Sequence, residues 1–211
     1  LRGSVPYKGF YGFFTKLLRP EAIIEIDDNN YLGVSTRLIR FGSSGLAGVW
    51  AEENTRESIY DAFRRKETFG TSGPRIKVRF FAGYNLEGLK LGDLTLIQDA
   101  YAKNTPMGGT INQEEDKSPR FLVWAISDPL GAPLQRVQII KGWLEEGEHR
   151  EKVFDVACSD GQSVDSITHR CPDNGASVNV DDCSISPDKG DSEIKTFWQD
   201  PEFKQNQDAF Y

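Results

Sequence analysis

Histidine and methionine are almost missing from this sequence: its 211 residues include 2 histidines and 1 methionine. His149 and His169 lie far apart, so the chain cannot by itself assemble a histidine-rich hydrolytic metal centre. Positive charge is also short, with 25 Lys and Arg against 32 Asp and Glu and a net charge of -7. That balance argues against a nucleic-acid or anionic-membrane surface, which needs a concentrated positive field. No apolar run approaches the ~18 residues of a membrane span. The aromatic-rich start from Tyr7 to Phe14 is broken by Lys8, Gly9 and Gly12 and is too short for a signal core. No G-x-S-x-G elbow, P-loop or G-x-G-x-x-G motif marks a nucleophile or a nucleotide site.

What is present is an ordinary globular composition, with 38% hydrophobic and 27% charged residues, enough to bury a core. The chain opens on Leu1 instead of a methionine, and Asp208 to Tyr211 has the texture of a strand cut short. Both features suggest a piece of a longer protein, whose upstream part would be this chain's first partner. All three cysteines, Cys158, Cys171 and Cys183, fall in one window rich in Asp, Ser, Asn, Pro and Gly. A local disulfide fits that clustering and implies an oxidising compartment, periplasmic or extracellular. Two alternatives stay open: a zinc site with His169, which lacks a C-x-x-C pair, and three reduced thiols. Asp160, Asp165, Asp173, Asp181, Asp182 and Asp188 could bind calcium but lack EF-hand spacing, so solvated turns are the simpler reading.

Texture divides the chain near Pro74, giving expected domains 1–74 and 75–211. Within 1–43, apolar runs at 13–18 and 22–26 end in the turn signal Asp27-Asp28-Asn29-Asn30. The run 46–51 fits a buried parallel strand, and Glu52 and Glu53 follow it. Asn54 and Glu57 then form a capping-box pattern, and Ile59, Ala62 and Phe63 form a helical stripe. Arg64, Arg65 and Lys66 complement the helix C-terminus, and Gly70 ends the segment. This is a βα unit, in which side chains just past the strand reach the functional end of an α/β barrel or open sheet.

Beyond Pro74 the period becomes two: Ile76, Val78 and Phe80 alternate with Arg75, Lys77 and Arg79. Further strands are expected at 121–126, 137–143 and 152–157, with turns at Asp128-Pro129-Leu130-Gly131 and Glu146-Gly147. A loop is expected from Pro106-Met107-Gly108-Gly109 to Asp116, and no helix between Pro74 and Ala157. The expected class is α+β: a final βα unit of a distorted α/β barrel, then an antiparallel β-sandwich-like module.

Two constellations carry candidate chemistry. Glu52 and Glu53 with Arg56 sit where a carboxylate could act as a base or ligand; alternatively they only favour the helix N-terminus. Thr71, Ser72 and Arg75 offer hydroxyls and a guanidinium that could hold an oxyanion; alternatively they form an interdomain turn.

The run from Gly45 to Ile76, including Val49-Trp50-Ala51-Glu52-Glu53-Asn54 and Thr71-Ser72-Gly73-Pro74, resembles the bacterial domain-of-unknown-function family 3604. Pro106 to Gly109, Asp155 to Gly161, His169 to Gly175, Asp182 to Gly190 and Trp198 to Tyr211 extend the resemblance. More loosely, the helix ending in Arg64-Arg65-Lys66 and the following Thr71 to Pro74 is similar to the last βα unit of the polymerase-and-histidinol-phosphatase superfamily. That likeness implies a parent that hydrolyses a small phosphoester with divalent zinc or manganese. The histidine-bearing ligand motifs would lie upstream, so no metal ligand is assigned here. If the parent is such a hydrolase, Glu52, Glu53 and Arg56 are the catalytic candidates lining the rim and Thr71, Ser72 and Arg75 the substrate-binding candidates; the alternative is a non-catalytic binding or structural β module of an exported protein.

Overall fold

The computed structural model of the protein describes residues 45–114 and 117–211. The runs expected within 1–43 and the end of the acidic loop at 115–116 lie outside them. Two compact units divide the described residues: 45–48 with Phe69–Arg75, and Val49–Thr68 with Ile76–Tyr211.

In the smaller unit, 46–48 and 69–71 belong to a two-stranded sheet of β1 (Leu46–Val49) and β2 (Thr68–Thr71). Leu46 N donates to Thr71 Oγ1, while a Cβ at Gly48 would meet the Phe69 ring at 2.4 Å. These pairings run in opposite directions along the two segments, so the ribbon is antiparallel and none of β1 is fully buried. The expected buried parallel strand at 46–51 is thus corrected. The described residues form no closed barrel.

In the larger unit, α1 (Arg56–Arg64) explains the reversal. Its cap is Thr55 and not Asn54: Thr55 Oγ1 accepts from Ser58 N at 3.3 Å, and Ser58 Oγ accepts from Glu53 N at 3.1 Å. At the other end Glu67 N donates to Ala62 O and Lys66 N to Phe63 O, a Schellman closure with Lys66 at φ 61°. The chain therefore turns straight back after the helix and does not cross over it. Gly108 packs against this closure: a Cβ there would meet Lys66 Cβ at 2.5 Å and Arg65 O at 2.6 Å. Of the expected stripe, Ala62 is buried while Phe63 is exposed.

The remaining elements are β3 (Lys77–Gly83), α2 (Leu96–Lys103), β4 (Thr105–Pro106), β5 (Arg120–Ile126), β6 (Arg136–Glu145), β7 (Glu148–Cys158), β8 (Glu193–Gln199) and β9 (Ala209–Phe210). They form an antiparallel four-stranded sheet in the order β4-β3-β5-β8 and an antiparallel three-stranded sheet β7-β6-β9. The chain is α+β, and the strands predicted at 121–126, 137–143 and 152–157 lie within β5, β6 and β7.

Alternation distributes the core. Ala82, Phe121, Val123, Ala125 and Ile194 of the larger sheet share one apolar cluster with Val137 and Ile139 of β6. Phe81 and Leu122 point the other way and pack with Leu86, Leu96 and Ala100. Thus α2 covers part of the outer face. The sequence reading has no helix there, because α2 runs for eight residues and buries only Leu96 and Ala100, a single i,i+4 pair. No described helix is long and apolar enough to cross a membrane.

Candidate functional site

Glu52, Glu53 and Arg56 are exposed around the start of α1. Glu53 is tied down through its backbone N–H to Ser58 Oγ. Thr71, at the end of β2 in the smaller unit, has its hydroxyl engaged by Leu46 N, while Ser72 and Arg75 are exposed. Cys158 and Cys171 form a disulfide with Cα atoms 5.6 Å apart, and Cys183 is free and exposed. Two of the sulfurs in the zinc alternative are therefore bonded to each other.

Three polar clusters escape the sequence reading, each around a buried carboxylate. Asp155, 2% exposed, accepts from Gln138 Nε2 at 2.6 Å, Cys171 N at 2.7 Å and Arg136 Nη1 at 3.1 Å. Arg136 and Gln138 are two apart on β6 and share a face; Cys171 arrives on the loop that its disulfide ties to Cys158. Burial pushes the Asp155 carboxyl up, but the Cys171 amide, Gln138 and Arg136 outweigh it and hold it below the usual carboxylate range.

The second cluster joins the sheet to the chain end. Lys141, 3% exposed, donates to Asp200 Oδ2 at 2.5 Å and to Glu202 O at 2.9 Å, and Tyr211 OH donates to the same Asp200 oxygen at 2.7 Å. Burial, then the bond to Asp200, raises the Tyr211 phenol above its ordinary value. The third cluster is buried Glu67, which accepts from Arg65 Nε at 2.8 Å and Tyr101 OH at 2.7 Å. Burial, then this bond, raises the Tyr101 phenol.

Arg79 Nη1 donates to Tyr101 OH at 3.0 Å, and its guanidinium lies 3.6 Å over the Trp50 ring. Register places Arg79 opposite Trp124, and Trp124 opposite Lys195, whose Nζ lies 4.8 Å from the Trp124 ring centre. Among the described residues, alternating cations and indoles therefore lie on the sheet face beside α2. Trp50, Lys77, Arg79, Trp124 and Ile126 line a shallow recess there.

The Asp-rich segment organises its own turns. Asp165 Oδ1 accepts from Ile167 N and Thr168 N, Asp182 from Ser184 N, and Asp160 from Gly190 N. Among the described residues no group of three or more His, Cys, Asp or Glu is arranged to hold a metal ion.

The family model described as "Protein of unknown function (DUF3604)" matches residues 8–211. The chain belongs to this family. No curated protein and no solved structure matches it. The family match therefore embraces the ribbon, the sheets and the recess together.

Proposed function

We propose that this DUF3604 chain is the accessory, C-terminal portion of a metal-dependent, phosphoesterase-like hydrolase that works in the periplasm or outside the cell. It contributes architecture and binding, whereas zinc or manganese ligands come from upstream. One observation carries the accessory reading: the buried carboxylates Glu67, Asp155 and Asp200 are each already closed by donors within the fold. A carboxylate so engaged is a fastener and not a poised base. The described residues offer no donor set that fits a catalytic metal. The disulfide supports an oxidising compartment. The hydrolase half of the proposal rests on the likeness of the α1 segment to the last unit of the phosphatase superfamily.

The test uses the parent polypeptide and a panel of phosphomonoesters and phosphodiesters with manganese or zinc. Chelator-sensitive turnover is expected from the parent and none from this chain alone. An inert parent, or turnover by this chain, overturns the respective half.

A further inference from the structure

We infer that the recess beside α2 binds an acidic oligosaccharide, through pyranose units that carry a carboxylate or sulfate. The inference rests on reading the chain as a binding-competent accessory module, not on catalysis by its parent.

The outer face of the four-stranded sheet has three rows in register. Phe81, Leu122 and Phe197 form the first, packed with the cluster that includes Leu96 and Ala100 of α2. Arg79, Trp124 and Lys195 form the second, and Lys77, Ile126 and Glu193 the third. Beyond the cover of α2, Trp50 and Trp124 line the recess among the described residues, and Ile126 is 37% exposed at its edge. In such a recess the C–H groups of a sugar ring can meet indole carbon beside the stacked cations while its anion meets their charge.

Charge selects among sugars. Although the chain carries a net charge of -7, three cations, Lys77, Arg79 and Lys195, stand on this face. Neither Lys77 nor Arg79 forms an ion pair with the described residues; Lys195 meets only Glu193, at 3.4 Å. The guanidinium of Arg79 is engaged through its flat face by Trp50 and through one N–H by Tyr101. Its in-plane donors otherwise suit the forked oxygens of a carboxylate or sulfate. Lys77 and Arg79 in the recess, with Lys195 over Trp124 on the same face, match one or two isolated anions spaced by neutral rings. They do not match the dense charge of a nucleic acid, which an acidic chain repels.

The experiment is titration calorimetry with tryptophan fluorescence on the purified protein in chelator. The ligands are oligogalacturonate, a sulfated chondroitin oligosaccharide, neutral cellohexaose and a single-stranded oligonucleotide of matched charge. Saturable binding of one or both acidic sugars is expected, weakened by salt, with the two arms distinguishing carboxylate from sulfate. Lys77→Glu and Lys195→Glu are both surface changes whose folding is checked by melting temperature. Each should weaken binding by roughly tenfold or more. No binding of either acidic sugar, equal binding of the neutral one, tighter binding of the oligonucleotide, or undiminished binding by both folded variants overturns the inference. Because chelator suppresses turnover, this result is independent of the hydrolase assay.

Discussion

Replacing Asp155 by Asn probes the most connected carboxylate among the described residues without changing its shape. The side chain accepts from the Cys171 amide, Gln138 and Arg136, and Arg170 approaches at 3.5 Å. Arg136 and Arg170 keep part of their surface in water and can be resolvated when the charge is removed. The Cys171 amide is buried and cannot. A charge-assisted hydrogen bond contributes ~1.5–3 kcal/mol, and breaking a buried pair outright costs ~3–5 kcal/mol. An asparagine retains one acceptor oxygen, so the expected loss near neutral pH is about 2–3 kcal/mol.

The sign of its pH dependence follows from the depressed Asp155 carboxyl. A group whose folded pKa is lowered contributes stability that is fully present above its unfolded pKa of about 3.9. That contribution is lost as pH falls through the folded value. Urea unfolding of wild type and Asp155→Asn, at a series of pH values from about 6 downward, should show a constant gap that closes below about pH 4. A variant within ~0.5 kcal/mol of wild type near neutrality, or a gap that ignores pH, would refute the hub.

Two further outcomes concern the fasteners. Reducing the Cys158–Cys171 bond, which joins residues 13 apart, should cost about 3 kcal/mol in urea unfolding, whereas Cys183→Ser should leave stability unchanged. A larger effect from Cys183→Ser than from reduction would contradict the pairing. Lys141→Met leaves Asp200 buried with only the Tyr211 hydroxyl of its two side-chain partners, and should cost ~3–5 kcal/mol by thermal or chemical melting. Adding Asp200→Leu to Lys141→Met should recover part of that loss; no recovery would mean the pair is not coupled.

The β-rich part was legible because alternation is a local property. Val78 and Phe80 pack against one core while Lys77 is exposed on the opposite face, as a period of two requires. The same parity could have exposed Lys141, which shares the inward face of β6 with Val137 and Ile139 and is buried there. A lysine in that series needs a buried partner, and Asp200 lies 59 residues away, beyond any local pattern. Asp155 escaped notice for a similar reason, since its donors come from β6 and from a loop brought back by the disulfide and by the Asp155 N–H bond to His169 O. Direction was the other failure. The run at 46–51 looks equally apolar in a parallel or an antiparallel setting, and the Schellman closure at Lys66 and Glu67 decides between them. Non-glycine residues at that closure hid the signal, because Lys66 occupies the left-handed position usually marked by glycine.

The half-covered outer face gives the strongest link between packing and binding. A sheet face left beside an eight-residue helix must be polar, be covered, or carry apolar surface into water. Here the second row does none of these fully: it places one indole, Trp124, on the face under Lys195, and its Arg79 stacks on the Trp50 ring. A cation over an indole hides apolar area while keeping its charge hydrated, which costs little when the face is empty. The same stacking holds the side chains in position, so a ligand would meet charges whose ordering cost has largely been met in folding. Substituting Trp124 by Phe keeps the core-facing strand intact but shortens the platform under Lys195. Acidic-sugar affinity should therefore fall while salt dependence stays, whereas Lys195→Glu should reduce both. If the two variants behaved identically in salt, ring stacking and charge would not be separate contributions at this face.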